Sequence, residues 1–141
     1  MFAYPVRISA EAEDFGRFHA YFRDFPEAIA SGANFEEALA EAEGALAAVA
    51  RMRLKRRSLL PTPSPLLQGE QLVYLPATLA AKAVVIGSLV ASRLSIAGFA
   101  ERMDVHETEA RRIVDPDHAT KLDRLEAAAR ALGSRMIIEA I

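Results

Sequence analysis

Apolar positions alternate with smaller or polar positions at the start of the chain. The apolar positions of this pattern are Phe2, Tyr4, Val6 and Ile8. A period of two residues predicts a β-strand with one buried face. Because Pro5 lies within this strand and has no N–H to donate to a neighbouring strand, we expect the strand to lie at an edge of its sheet.

Three further segments complete the predicted sheet. Residues 17–22 follow a turn at Gly16 and predict the second strand of a hairpin. Residues 27–31 are short enough for a third strand, which Gly32 ends. After a proline-rich loop or linker, residues 71–75 predict the last strand.

A long amphipathic helix is predicted between the third and the last strand. Asn34 can cap its first turn, and Glu37 follows at the spacing of a capping box. Apolar residues then recur at helical spacing, at Phe35, Leu39, Ala42, Leu46 and Val49. The helix ends in a basic cluster of Arg51, Arg53, Lys55, Arg56 and Arg57. We interpret this cluster as a solvated helix end that the helix dipole favours, with a nucleic-acid or partner contact as the alternative.

The spacing of apolar residues is helical from residue 77 onward. Four helices are expected, at residues 77–94, 95–103, 106–114 and 120–132, and the last three each begin with a residue able to cap a helix. Gly133 ends the last helix, and an apolar tail follows at residues 136–138. The sequence therefore predicts an α+β chain, with a sheet domain at residues 1–75 and an all-α domain at residues 76–141.

The second and third of these helices have the residue pattern of a helix-turn-helix. Ala100 is small enough to lie where two crossing helices touch, Asp104 tolerates the left-handed backbone of a turn, and Val105 packs into the angle. The next helix would present side chains that can contact base edges or phosphates in a major groove. These candidate DNA-binding residues are His106, Glu107, Thr108, Arg111 and Arg112, with Lys121 adding positive charge nearby.

Three observations leave this interpretation open. Two short helices joined by a tight turn also occur in domains that bind no DNA. Glu107 and Glu109 would repel phosphates, although a carboxylate can accept a hydrogen bond from cytosine N4. The net charge of −2 and the pI of about 5.9 neither support nor exclude a nucleic-acid partner.

Composition excludes several kinds of site. The chain has no cysteine, which excludes disulfides, thiolate nucleophiles and thiolate metal sites and favours a cytoplasmic protein. Its most apolar stretch, residues 79–91, is interrupted by Lys82 and Ser88 and is shorter than the ~20 residues of a membrane span, so neither export nor membrane insertion is expected. No glycine-rich phosphate loop or nucleophile motif is present, and the three histidines are dispersed, at His19, His106 and His118.

Two segments resemble the HicB family of antitoxins. Residues 25–39, FPEAIASGANFEEAL, follow a short predicted sheet and look like the N-terminal domain of HicB-type antitoxins. Residues 115–125, DPDHATKLDRL, are similar to the segment after the recognition helix in HicB proteins that carry a Cro/repressor-like domain.

This resemblance implies a fold, a partner and a function. It implies a partial RNase H-like fold up to about Leu75, a small HicA-type toxin that cleaves RNA as the partner, and autorepression of the shared operon through operator DNA. Under this interpretation the candidate partner-binding residues are Asp24, Phe25 and Glu27. Operator-binding helix-turn-helix proteins are commonly dimers, so we expect a homodimer or a higher homo-oligomer, with the apolar tail as a candidate seam.

The implied RNase H-like outline raises the question of a nuclease, which would need clustered carboxylates to hold Mg²⁺. The acids available are Asp14, Asp24, Glu27, Glu36 and Glu37. Because several of them lie in predicted turns or in a helix cap, we favour structural roles and expect no catalytic residue, no metal and no cofactor. Two other functions stay open: a stand-alone helix-turn-helix transcription regulator with an N-terminal ligand-sensing domain, and a metal-dependent RNase H-like nuclease.

Overall fold

Four β-strands and five α-helices build the chain in a computed structural model, which describes residues 1–141. The strands are β1 (Ala3–Glu11), β2 (Arg17–Phe22), β3 (Ile29–Gly32) and β4 (Glu70–Tyr74), with one 3₁₀ turn at Ala12–Asp14. The helices are α1 (Phe35–Lys55), α2 (Ala77–Ser92), α3 (Ile96–Met103), α4 (Glu107–Ile113) and α5 (Leu122–Ala131). A sheet with one helix, followed by helices alone, confirms the predicted α+β class.

Internal contacts divide the chain into two compact units. The first unit consists of residues 1–50 and 61–76, and the second consists of residues 51–60 and 77–141. The last turn of α1 therefore belongs to the second unit by its contacts, together with the segment that follows it.

The sheet of the first unit is antiparallel, with strand order β3-β2-β1-β4. β1 is thus an inner strand, and the edge position predicted from Pro5 is wrong. Phe2 O accepts a hydrogen bond from Leu75 N at 3.0 Å, so even-numbered residues of β1 bond to β4 and odd-numbered residues face β2. β2 pairs with β1 only from Val6 onward, so the nitrogen of Pro5 lies beyond the end of β2 and no ladder bond is lost.

One face of the sheet and one stripe of α1 supply the core of the first unit. Among the buried sheet residues on this face are Tyr4, Val6, Ala20, Phe22 and Val73, and the buried stripe of α1 is Ala38, Ala42, Leu46 and Ala50. Phe35, Leu39 and Val49, which helical spacing assigned to the buried face, are only half-buried. The stripe follows a spacing of four residues and is mostly alanine, which lets the helix backbone come close to its neighbours.

Asn34 caps α1 as predicted. Its Oδ1 accepts a hydrogen bond from Glu37 N at 2.8 Å, and the Glu37 carboxylate accepts one from Ala33 N at 3.2 Å. Two main-chain donors at the helix start are thus satisfied by side chains. This cap fixes where α1 begins, directly after β3.

Substitution by alanine should change the free energy of unfolding in opposite directions at Gly32 and at Gly44. A Cβ on Gly32 would lie 2.5 Å from Ala38 N and 2.8 Å from Glu37 C, so the first turn of α1 would have to move. Gly32→Ala should therefore lower the free energy of unfolding by about 1–3 kcal/mol, as overpacking does. Gly44 lies within α1 with open space around it, and Gly44→Ala should raise that free energy by about 0.5–1 kcal/mol. Urea denaturation measures both variants, and equal effects would contradict this close contact of β3 with α1.

Side chains hold the proline-rich loop, residues 61–69, within the first unit. Asp24 accepts hydrogen bonds from both the main-chain N and the hydroxyl of Ser64. Arg23 donates to both carboxylate oxygens of Glu70, at 2.9 and 2.8 Å. This contact with the guanidinium lowers the pKa of the Glu70 carboxyl. The loop is fixed near both ends although it contains no helix or strand.

The second unit is helical, and α2 is its most buried helix. α2 contacts α5, and α3, α4 and α5 contact one another. Ser95 caps α3 by accepting from Gly98 N at 3.0 Å, as predicted, whereas the caps predicted for α4 and α5 are absent. α5 begins at Leu122 instead of Thr120, and the hydroxyl of Thr120 accepts a hydrogen bond from Lys82.

The apolar helices of the second unit are followed by a C-terminal segment with exposed apolar side chains. None of the five helices alone is long and apolar enough to cross a membrane, and α2 with α3 meets that test only as a pair bent by 114°. Gly133 has a left-handed backbone (φ 83°), and residues 134–141 beyond it form no helix or strand. This segment, residues 134–141, exposes three large apolar side chains, those of Ile137, Ile138 and Ile141.

Candidate functional site

A tight turn joins α3 to α4. Asp104 follows the end of α3 with a left-handed backbone (φ 53°, ψ 50°), as the sequence predicts for this position. Val105 N donates to Ala100 O at 3.0 Å, and Ala100 is buried beside the turn. α4 begins at Glu107, so the two helices are separate elements and do not form one continuous rod.

α4 has one buried and one exposed face. Ala110 and Ile113 are buried, as predicted. The candidate DNA-binding residues of this segment are all exposed, namely His106, Glu107, Thr108, Arg111 and Arg112. Lys121, directly before α5, is exposed as well. The structure therefore leaves the polar face of α4 open to solvent.

Ion pairs compensate the acidic residues of α4. A carboxylate oxygen of Glu107 lies 3.3 Å from a guanidinium nitrogen of Arg111, one turn later in α4, and Glu109 pairs with Arg124 of α5. Exposed pairs of this kind contribute little free energy, so Arg111 can exchange its carboxylate for a phosphate. Arg112 and Lys121 form no ion pair. The exposed face thus retains positive charge of the kind that phosphates attract.

The end of α1 holds residues 115–117, which follow α4. Lys55 Nζ lies 2.8 Å from Asp115 Oδ1 and 3.3 Å from Asp117 Oδ2, and Arg51 Nε lies 3.5 Å from Asp117 Oδ1. The hydrogen bond between Lys55 and Asp115 raises the pKa of the lysine and lowers the pKa of the aspartate. Two side chains of the basic cluster therefore fix the segment between α4 and α5, a role that neither sequence interpretation of the cluster included.

The candidate partner-binding residues differ in their roles within the first unit. Phe25 is fully buried, and its ring meets that of Tyr4 edge to face with 4.7 Å between centroids. Its side chain is not available to a partner, so the prediction of direct binding by Phe25 is corrected to a role in the core. Asp24 holds the proline-rich loop through Ser64, whereas Glu27 is exposed.

β3, which follows this segment in the chain, lies at an edge of the sheet and has no strand on its outer side. Odd-numbered residues of β2 bond to β1, so Ala30 and Gly32 of β3 bond to β2 and the main-chain groups of Ile29 and Ser31 point away from the sheet. Ile29 is 63% exposed. A groove of about 520 Å³ lies at this edge and is lined by three residues of β3, by His19 of β2, and by Glu41, Gly44 and Ala45 of α1. Unpaired main-chain groups beside an open groove are suited to an extended partner segment.

Carboxylates and imidazoles do not converge on one point. No group of three or more His, Asp or Glu side chains is placed so that it could hold a metal ion. Asp14 lies 2.9 Å from His19 Nε2, Asp24 is bonded to Ser64, and Glu37 belongs to the cap of α1. These acids, which a nuclease would need, have structural partners.

Residues 3–84 match the model of a protein family described as HicB_like antitoxin of bacterial toxin-antitoxin system. The chain belongs to the HicB-like antitoxin family. Antitoxin HicB 2 of Photorhabdus laumondii is 36% identical to this HicB-like chain over 138 residues, which cover 98% of the chain and 96% of that protein. Antitoxin HicB of Escherichia coli K12 is 30% identical over 133 residues, covering 94% and 95%. Antitoxin HicB of Pseudomonas fluorescens is 32% identical over 142 residues, covering 98% and 93%.

These relatives confirm the HicB resemblance drawn from the sequence, and membership of an antitoxin family implies a toxin partner. The family match spans the whole sheet of this HicB-like antitoxin and ends within α2, so α3 and α4 lie outside it. The full-length relatives align over nearly the entire chain, which includes those two helices.

Sequence reasoning missed two residues that bear on the sites of this HicB-like antitoxin. In the sequence Lys82 only interrupts an apolar run, yet its side chain is buried and donates hydrogen bonds to the end of α4. A lone lysine inside an apolar helix is itself a signal, because lysine is rarely buried without partners. The sequence predicts a strand at Ile29, but it does not indicate that this strand lies at an edge of the sheet.

Proposed function

We propose that this HicB-like antitoxin neutralises a small, RNA-cleaving toxin of the HicA type and represses its own operon by binding operator DNA. A toxin-binding domain at residues 1–75 and a helix-turn-helix domain at residues 76–141 would divide these tasks. The open face of α4 supports the proposal of DNA binding, because its polar and basic side chains are exposed while Ala110 and Ile113 are buried and attach the helix to its unit. Membership of the antitoxin family supports the proposal of toxin binding.

α4 is the proposed recognition helix. Arg111 and Arg112 can donate to guanine or to phosphates, and Thr108 can bond to several bases. His106 lies at the N-terminal end of the helix, the end that contacts base edges in helix-turn-helix proteins. Lys121 would bind a phosphate and so contribute affinity without sequence preference.

A homodimer would present two copies of α4 to one operator. Helix-turn-helix dimers bind half-sites about 34 Å apart, one turn of DNA, and an operator with two-fold symmetry is therefore expected. The segment at residues 134–141 supplies an exposed surface of the second unit that a second copy would cover, at Ile137, Ile138 and Ile141.

The toxin would bind along the segment from Asp24 to Ser31. Asp24 and Phe25 hold this segment from inside, while Glu27 and Ile29 are exposed to a partner. Strand addition at the free edge of β3 would supply main-chain hydrogen bonds, and the groove beside it would receive side chains of the toxin. Covering the toxin in this way would neutralise it by steric occlusion.

Two binding measurements test the proposal. In fluorescence anisotropy, the duplex upstream of the chain's own gene should bind at least ~10³-fold more tightly than an unrelated duplex of equal length, with affinity that falls as salt rises. The small protein encoded beside the gene should co-purify with the chain, and co-expression should restore growth. A tightly bound metabolite without a protein partner would contradict the proposal and favour a ligand-sensing regulator. RNA cleavage that needs Mg²⁺ and is lost in Asp14→Asn would favour a nuclease.

A further inference from the structure

Lys82 is a buried cation in the middle of α2. Its residue is only 3% exposed, and its neighbours in the chain, Ala81 and Ala83, are buried too. Moving an ammonium group out of water is costly, so a buried lysine is retained only where it finds good partners. The partners of Lys82 therefore indicate what it does.

All three hydrogens of the ammonium group are used. Nζ donates to Arg112 O at 3.0 Å, to Ile113 O at 2.9 Å and to Thr120 Oγ1 at 2.6 Å. The two carbonyls belong to the last turn of α4, and Thr120 lies just before α5. One charge thus ties the end of the proposed recognition helix to the start of the next helix.

α4 depends on this contact more than a longer helix would. It has only seven residues, no side chain caps its start, and it ends at Val114 (φ −96°, ψ 12°) without a left-handed glycine. Carbonyls at a helix C-terminus lack partners within the helix, and a cation placed there is favourable. Lys82 supplies that cation from α2.

The charged groups around Lys82 come from the end of α1 and from the segment between α4 and α5. A cavity of about 260 Å³ beside Lys82 is also lined by Arg51, Asp117 and His118. Burial lowers the pKa of Lys82 to about 8, and the charge of Asp115 opposes this shift. The ammonium form therefore dominates near neutrality, whereas above about pH 9 a neutral amine has two hydrogens for three acceptors.

We propose that Lys82 is a positioning residue for operator binding, which fixes the end of α4 relative to Lys121 by holding Arg112 O, Ile113 O and Thr120 Oγ1 together. This inference rests on the proposed DNA-binding function. Lys82 does not contact DNA itself, because its side chain is buried. Its role is to present the exposed face of α4 and Lys121 as one surface.

Protonation of Lys82 should affect operator binding and the contribution of Lys82 to the free energy of unfolding in opposite directions. Operator affinity should fall as pH rises through about 8, since one of the three hydrogen bonds is lost. Between about 8 and 10.5 the unfolded chain binds this proton more tightly than the folded chain does, so the contribution of Lys82 to the free energy of unfolding rises with pH. Weaker DNA binding in this range is therefore not explained by the contribution of Lys82 to the free energy of unfolding.

Measurements of operator affinity test this role. The wild-type chain and Lys82→Met are each measured at about pH 7 and about pH 9.5, at constant ionic strength. Lys82→Met should bind roughly tenfold more weakly at pH ~7 and change little with pH, whereas the wild type should lose roughly threefold between the two values, because its neutral amine keeps two of the three hydrogen bonds. Every other titrating group is shared by both proteins, so their difference isolates Lys82. Thr120→Val, which removes a single acceptor, should give a smaller loss and provides a second variant should Lys82→Met fail to fold.

Amide hydrogen exchange separates a failure of this inference from a failure of the proposed function. Amides at Val114 and Asp115, whose N–H groups bond to the last turn of α4, should exchange faster in Lys82→Met or Thr120→Val, while those in α2 stay protected. If the wild type binds operator but both variants bind as tightly with the same pH profile, the positioning role is wrong. If the wild type binds no operator, the proposed function fails, and unchanged exchange at α4 would overturn the Lys82 contact independently.

Discussion

Arg111→Ala combined with Arg112→Ala should weaken operator binding by at least about 30-fold, because each lost contact to a base or phosphate costs about 1–3 kcal/mol and tenfold corresponds to about 1.4 kcal/mol. Both side chains are exposed, so the thermal midpoint of the variant should stay near that of the wild type. Fluorescence anisotropy over a range of salt concentrations measures the loss and should show a shallower dependence on salt.

Arg56→Ala combined with Arg57→Ala is the matched control. These arginines are also exposed and belong to the second unit, but they lie outside the helix-turn-helix. The control removes the same charge, so it should change specific affinity much less. Equal losses for the two double variants would mean that net charge, and not α4, determines operator binding.

Ile29→Glu should weaken toxin binding by about 30-fold or more. A carboxylate placed at the free edge of β3 would be buried without a partner in the complex, which costs roughly 2–5 kcal/mol. The side chain is exposed in the free antitoxin, so the stability of the antitoxin alone should change little. Isothermal titration calorimetry with the purified toxin measures the affinity, and growth rescue should fail in parallel.

Leu72→Glu is the control for the sheet edge. Leu72 lies in β4, at the opposite edge of the same sheet, and is 39% exposed. Toxin affinity near that of the wild type is expected. A loss with Leu72→Glu and none with Ile29→Glu would place the toxin at the β4 edge and contradict the proposed surface.

Local patterns in the sequence are sufficient to predict the helices and strands, but not which strands pair with one another in the sheet. The period-two pattern and Gly16 predict the β1–β2 hairpin, and helical spacing with breakers predicts all five helices. The position of β1 in the sheet depends on its pairing with β4, which is more than sixty residues away in sequence. The missing N–H of Pro5 predicts an edge strand, but β2 ends opposite Val6, so β1 can be an inner strand without losing a hydrogen bond at Pro5.

The candidate DNA-binding surface could be predicted more completely than the partner surface. Asp104, Ala110 and Ile113 follow local rules for turns and helix faces, and the structure agrees at each position. The role of Phe25 depends on tertiary contact with Tyr4, which no local pattern contains. The Lys82 contact joins α2 to α4 across thirty residues or more, so only the unusual position of a lysine signalled it.

The most direct test is an NMR titration of the ¹⁵N-labelled chain with duplex DNA from upstream of its own gene. Amide shifts should be largest from His106 to Arg112 and at Lys121, with little change in the first unit. Shifts concentrated in residues 51–57 or in the sheet, with α4 unchanged, would contradict the assignment of α4 as the recognition helix.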